Sequence, residues 1–101
     1  MCPAVAVVAI PNAAKRSQWA ARQAKREGLV TGFPDIMCIW QGGEVCFIEF
    51  KAAKGHLSTS QEEWLERLSD RGFRAAVARS ADEALDFLRQ CGAPFIGRIA
   101  A

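Results

Sequence analysis

Residues 32–51 read GFPDIMCIWQGGEVCFIEFK, and the fold turns on how this stretch pairs with itself. Gly32-Phe33-Pro34 breaks any continuing pattern. Two runs rich in Ile, Val, Phe and Trp, Asp35 to Trp40 and Glu44 to Lys51, then flank Gln41-Gly42-Gly43, which is the signature of a β-hairpin. Side chains alternate along a strand, so Glu49 and Lys51 share one face while Ile48 and Phe50 point to the other. On the first strand Asp35, Met37 and Ile39 share a face, and the turn decides which one. A two-residue Gly42-Gly43 turn sets Asp35 opposite Phe50 and puts the two carboxylates on opposite sides of the sheet. A three-residue Gln41-Gly42-Gly43 loop, with Gly43 left-handed in a bulge, pairs Trp40 with Glu44 and sets Asp35 opposite Glu49. The second register is expected.

Upstream, Val5 to Ile10 is a short Val- and Ala-rich run that ends at Pro11-Asn12, and it reads as a strand. Asn12 caps a helix over Ala13 to Glu27, with Lys25 and Arg26 in its last turn and Gly28 as its stop. Downstream, Ser58 and Gln61 form a capping box for a helix that runs to about Arg71 and stops at Gly72, with an apolar stripe of Leu57, Trp64, Leu65 and Leu68. Phe73 to Arg79 reads as a strand. Ser80 and Glu83 form a second capping box, for a helix that ends at Gly92 and buries Ala84, Leu85, Phe87 and Leu88. The order strand, helix, hairpin, helix, strand, helix predicts an α/β domain whose mixed β-sheet is flanked by helices. The crossover after Ser58 places the following strand parallel to Glu44 to Lys51.

A chain of 101 residues, half of them hydrophobic and 24% charged, with mean hydropathy +0.01, is a single globular domain; coiled coil, collagen-like repeats and disorder are excluded. The longest apolar run, Ala4 to Ile10, is too short to span a bilayer, and no signal-peptide pattern opens the chain. Cys2, Cys38, Cys46 and Cys91 lie far apart with no C-x-x-C pair, so they are expected to be reduced, mostly buried thiols of a cytoplasmic protein. The net charge is only +2, but its distribution is uneven. Lys15, Arg16, Arg22, Lys25 and Arg26 stand against Glu27 alone in the first 34 residues, concentrating positive field at one end.

An Asp and an E-x-K are common on solvated sheet faces. Here, however, Ile48 and Phe50 mark a strand that is to be buried, and charged groups on such a strand require a partner. Two carboxylates side by side repel, and a hard divalent cation bound through oxygens, with water completing its shell, relieves that repulsion. Lys51 lies one pleat away. A cation that polarises a phosphoryl oxygen, with an ammonium to orient or help deprotonate the nucleophile, suits phosphodiester hydrolysis.

The segments IPNAAKRS, GFPDIMCIW, FIEFKAAKGHLSTSQEEWLERL and RGFRAAVARSADEALDFL, which together cover roughly residues 9 to 88, resemble the PD-(D/E)xK nucleases and, within them, the VRR-NUC (virus-type replication-repair nuclease) domain. An E-x-K followed by GHLSTSQ and a Trp-containing helix is far more specific than a bare PD...ExK. The resemblance implies a restriction-endonuclease-like PD-(D/E)xK core and a DNA endonuclease dependent on Mg2+ or Mn2+. It implies Asp35, Glu49 and the Phe50 carbonyl as metal ligands and Lys51 as the catalytic lysine. Gln61 matches the family's glutamine, which orients water or a ligand; as a residue it reads equally well as the partner of Ser58 in the helix cap. Stand-alone viral members look like homodimers selective for branched DNA such as Holliday junctions, which implies a homodimer in a bacterial or phage-infected cell. Relatives begin with a helix that carries a further acidic residue near the metal, whereas this chain starts at the strand before IPN, so that ligand is expected to be missing or supplied otherwise.

Lys15, Trp19, Arg22 and Arg26 fall in one sector of a helical wheel, a cationic stripe that either tracks phosphates or is a solvated face with Trp19 packed inward. Asn12, Lys15, Arg16 and Ser17 lie in the matching IPNAAKRS segment and are first choices for DNA contact, with Lys54 and His56 in the loop after the site as further phosphate contacts. No helix-turn-helix, zinc-finger or RRM signature points to base reading. The rival readings are a non-cleaving DNA-binding module derived from a nuclease and a small protein-interaction domain.

Overall fold

The computed structural model describes residues 4–11, 22 and 30–94. The strands β1 (Val5–Ala9), β2 (Ile36–Trp40), β3 (Glu44–Phe50) and β4 (Arg74–Ala78) form one sheet in the order β1-β2-β3-β4. The first two pairings are antiparallel and β3 with β4 is parallel, so the sheet is mixed. Helix α1 (Thr59–Asp70) makes the crossover from β3 to β4, and α2 (Ala81–Gln90) follows β4. The helix expected over Ala13 to Glu27 lies outside the described residues apart from Arg22, which is helical and exposed. Among the described residues no helix is long and apolar enough to cross a membrane.

The hairpin takes the three-residue loop. Trp40 pairs with Glu44 and Ile36 with Ile48, and the loop closes because Gly42 and Gly43 adopt φ of +94° and +74°, a region that costs glycine nothing. Even-numbered residues of β2 and β3 then face α2. Cys38, Cys46 and Ile48 pack with Ala78, Ala84, Leu88, Cys91 and Ala93 into one buried cluster. The other face receives α1, where Phe47 meets Phe33 and Phe73 edge-on at 5.5 and 5.7 Å and Phe33 meets Trp64 at 5.0 Å, geometries that aromatic quadrupoles favour. Far from the carboxylates, Arg74 ties the hairpin end to the end of α2. It pairs with Glu44 at 2.7 Å, donates to the Cys91 carbonyl and lies over Trp40.

The Ser58 box forms as expected: Ser58 Oγ accepts from Gln61 N–H and Gln61 Oε1 accepts from Ser58 N–H. The second box is only half made. Ser80 Oγ accepts from Glu83 N–H at 3.1 Å, but the Glu83 carboxylate takes the N–H of Arg79 at 2.7 Å, one residue ahead of the cap. Ser80 is extended, with φ near −158°, and the carboxylate meets the N–H of the strand end instead.

Cys38, Cys46 and Cys91 are free, buried thiols as expected, and Cys2 lies outside the described residues. Cys38 and Cys46 are direct cross-strand partners with no exposure. Burial pushes the Cys38 thiol up and the Cys46 thiol up to about 12, because a thiolate there would lose its hydration. Folding raises this pKa above the unfolded value. The corresponding stability is therefore fully present at neutral pH and is lost between about pH 9 and 12, as the unfolded chain ionises first. The melting temperature of the wild type should fall more steeply across that window than that of Cys46→Val, as scanning calorimetry would read it.

Candidate active site

Asp35 immediately precedes β2, and the β2–β3 ladder continued by one residue sets it across from Glu49. Its Oδ2 accepts the Phe50 N–H at 2.7 Å, which locks the carboxylate against the end of β3. The Asp35 carbonyl accepts from Ile10 N–H at 2.8 Å, so the exit of β1 fixes the same residue from behind. Glu49 is 3% exposed, the one buried charged side chain among the described residues. A carboxylate in that position needs donors or cations around it. One donor is Gln61 Nε2, at 3.2 Å from Glu49 Oε2.

Gln61 forms the helix cap that its sequence position allowed, and it also reaches Glu49. Its carbonyl oxygen closes the cap on Ser58 while its amide nitrogen holds Glu49. The N-terminal end of α1, the positive end of its dipole, is thereby brought to the carboxylates. Gln61→Glu retains a capping-box residue but sets a second carboxylate against buried Glu49. It is expected to destabilise the fold by about 2 kcal/mol, measured by urea denaturation, although the cap survives.

The approach to Asp35 is built on close packing. Gly32 and Pro34 are buried, and Gly32 lies against Ser60 of α1 with φ +88°. Lys51 follows β3, half-buried, its N–H donating to the Ala78 carbonyl at 3.1 Å, and strand alternation puts it on the Glu49 face. Lys54 and His56 are both exposed on the segment that follows. Asn12, Lys15, Arg16, Ser17 and Arg26 lie outside the described residues, as does Trp19.

Two contributors escaped the sequence reading. Ser60, the seat of Gly32, carries no signal of its own. Arg79 donates to the main chain of the segment after Lys51, and only the parallel register of β4 brings it there.

A mixed sheet between helices, with an aspartate and a glutamate set side by side at the open end of a hairpin and a lysine on the same face, belongs to the restriction-endonuclease-like α/β class. The family model of the VRR-NUC domain matches residues 2–82, and the chain belongs to that family. Its function is accordingly of the nuclease type, with DNA as the substrate. No curated protein and no solved structure matches the chain.

Proposed function

We propose that this domain is a divalent-metal-dependent endonuclease that hydrolyses DNA phosphodiester bonds, selects branched DNA such as Holliday junctions, and works as a homodimer in the cytoplasm of a bacterial or phage-infected cell. The observation that carries the reading is the apposition of Asp35 and buried Glu49, with Lys51 on the same face. The preference for branched DNA and the dimer rest on the resemblance to stand-alone viral VRR-NUC proteins.

The donor set fits a hard cation. Asp35 and Glu49 offer anionic oxygens, and among the described residues no group of three or more His, Cys, Asp or Glu side chains converges. Mg2+ is characteristically held by one or two carboxylates, with waters and substrate phosphate completing its shell. Phe50 sends its N–H toward Asp35, and a residue in an antiparallel strand directs its carbonyl to the same edge, so the Phe50 carbonyl is the natural third protein ligand. Bound there, Mg2+ or Mn2+ would supply a polarised phosphoryl oxygen and a more acidic water.

The chain's own groups do the rest. The Phe50 N–H and the Gln61 amide orient the two carboxylates before substrate arrives, so little reorganisation remains to be done. Lys51 orients the attacking water and offsets the charge growing on the phosphate. Lys54, His56 and Arg22, all exposed, together with Asn12, Lys15, Arg16, Ser17 and Arg26, supply contacts to the DNA backbone.

The test is cleavage of labelled four-way junction, flap, single-stranded and linear duplex DNA with Mg2+ or Mn2+, comparing wild type with Glu49→Ala and a Lys51 variant. The wild type is expected to cut the junction best, and both variants to bind it uncut. In parallel, Mg2+ should raise the melting temperature of the wild type and not of Asp35→Ala. Wild-type protein that binds junctions yet cuts nothing with either metal would instead be a non-cleaving DNA-binding module.

A further inference from the structure

The segment that follows Lys51 is held by the residue that follows the neighbouring strand. Ala52 to Gly55 forms a turn closed by Gly55 N–H donating to the Ala52 carbonyl at 2.9 Å. The Arg79 guanidinium donates through Nη1 to that same carbonyl and to the Gly55 carbonyl, at 2.7 Å in each case. Arg79 is the first residue after β4, and Ala78 before it pairs with Phe50 and accepts the Lys51 N–H. The clamp thus sits where β4 leaves the sheet beside the site. Its main chain is itself fixed, since Glu83 Oε1 accepts the Arg79 N–H at 2.7 Å.

The turn lies close to Lys51 in return. A Cβ placed on Gly55 would stand 3.7 Å from Lys51 Cδ and 3.4 Å from the Ala52 carbonyl oxygen, so the Gly55 backbone lies close under the lysine stem. Ala52, Ala53 and Lys54 are exposed and have no core to hold them, so the charge-assisted bonds from Arg79 dominate the order of the turn. Loosening it would leave both packed faces of the sheet intact while freeing the lysine stem to turn.

We infer that Arg79 is a positioning residue for Lys51: by tying the 52–55 turn to the end of β4, it sets the direction from which the Lys51 ammonium meets the Asp35–Glu49 face. Lys54 and His56, carried on or just past the same turn, are held with it. The inference rests on Lys51 being the lysine of the proposed reaction.

Two measurements test it on the full chain. In single-turnover cleavage of a four-way junction with Mg2+, Arg79→Ala is expected to cut about tenfold more slowly at near wild-type DNA affinity, because small misplacements of a reacting group are costly. Arg79→Lys should recover part of the rate, since an ammonium also donates to carbonyls, and Arg89→Ala, a change on α2, should have no effect. The second readout needs no cleavage: acetylation of each lysine by an N-hydroxysuccinimide ester, followed by mass spectrometry. The Lys51 rate relative to Lys15 and Lys25 should change in Arg79→Ala and return toward wild type in Arg79→Lys. Unchanged cleavage together with unchanged Lys51 reactivity would overturn the inference. So would a loss of cleavage fully matched by a loss of DNA affinity, which would make Arg79 a phosphate contact. If the wild type cuts none of the substrates, the proposed function falls and the acetylation arm alone decides whether Arg79 sets Lys51.

Discussion

Lys51→Met is expected to slow DNA cleavage about a thousandfold while leaving the melting temperature and junction affinity close to wild type. Methionine keeps an unbranched stem over Gly55 and removes only the ammonium, so the turn that packs there retains its support. The lysine contributes no core burial, and its N–H bond to Ala78 belongs to the main chain and survives any substitution but proline. On the proposed function, what is lost is the ammonium on the Glu49 side of the sheet, which would offset the charge that the phosphate gains as it is attacked. Measured by single-turnover kinetics with saturating Mg2+, the deficit should appear in the rate constant and not in the DNA concentration at half-saturation. A variant that cuts within about threefold of wild type would remove Lys51 from the chemistry, since a group acting in the transition state contributes far more than that.

Gly32→Ala should be among the most damaging single-methyl additions in the domain. The backbone at Gly32 has φ +88°, where an L side chain is strained, and the added Cβ would lie 2.6 Å from the Ser60 backbone carbon, 2.7 Å from its Oγ and 2.8 Å from its Cβ. The carbon belongs to the first turn of α1, whose cap is already committed to Ser58 and Gln61, so the obstruction cannot swing aside as a flexible side chain would. Left-handed strain of about 1–2 kcal/mol and overpacking of about 1–3 kcal/mol give a loss of roughly 3 kcal/mol. In a domain of this size that corresponds to a melting temperature lower by about 10 °C or more. Gly72→Ala isolates the first component: its φ is +85° with nothing within 4 Å of the new Cβ, so it should lose only the conformational part. Equal melting temperatures for the two variants would show that the contact between the Asp35 approach and α1 carries no weight. Cleavage should suffer in Gly32→Ala even well below its melting temperature, because relief of the clash moves either Asp35 or Gln61.

Much of the site was legible because its determinants are short-range. Three residues between Trp40 and Glu44 set the hairpin register, and that register alone decides whether Asp35 faces Glu49 or Phe50. The parity of a strand puts Glu49 and Lys51 on one side whatever surrounds them. Ser58 and Gln61 announce the start of α1 through a hydrogen-bond exchange that spans three residues. Resemblance extended this reading to a family, and the family model covering residues 2–82 agrees with it. The same local logic went astray at Ser80. The pattern of a capping box was present, but the Glu83 carboxylate bonded the Arg79 N–H, and a three-residue spacing does not encode that choice.

What the sequence by itself determined, then, is the order of the described elements, the hairpin register, the shared face of Glu49 and Lys51 that strand parity dictates, and the cap of α1, all consequences of backbone stereochemistry acting over a few residues. Only the tertiary structure decided that Gln61 reaches Glu49 across 12 positions, that Gly32 seats on Ser60, and that Arg79 clamps a turn 24 to 27 positions earlier. These contacts follow from where the parallel strand β4 and the crossover helix α1 come to rest against β3. That placement is fixed by burial of Phe47 on one face and Cys46 and Ile48 on the other, a collective packing outcome to which no single residue's spacing testifies.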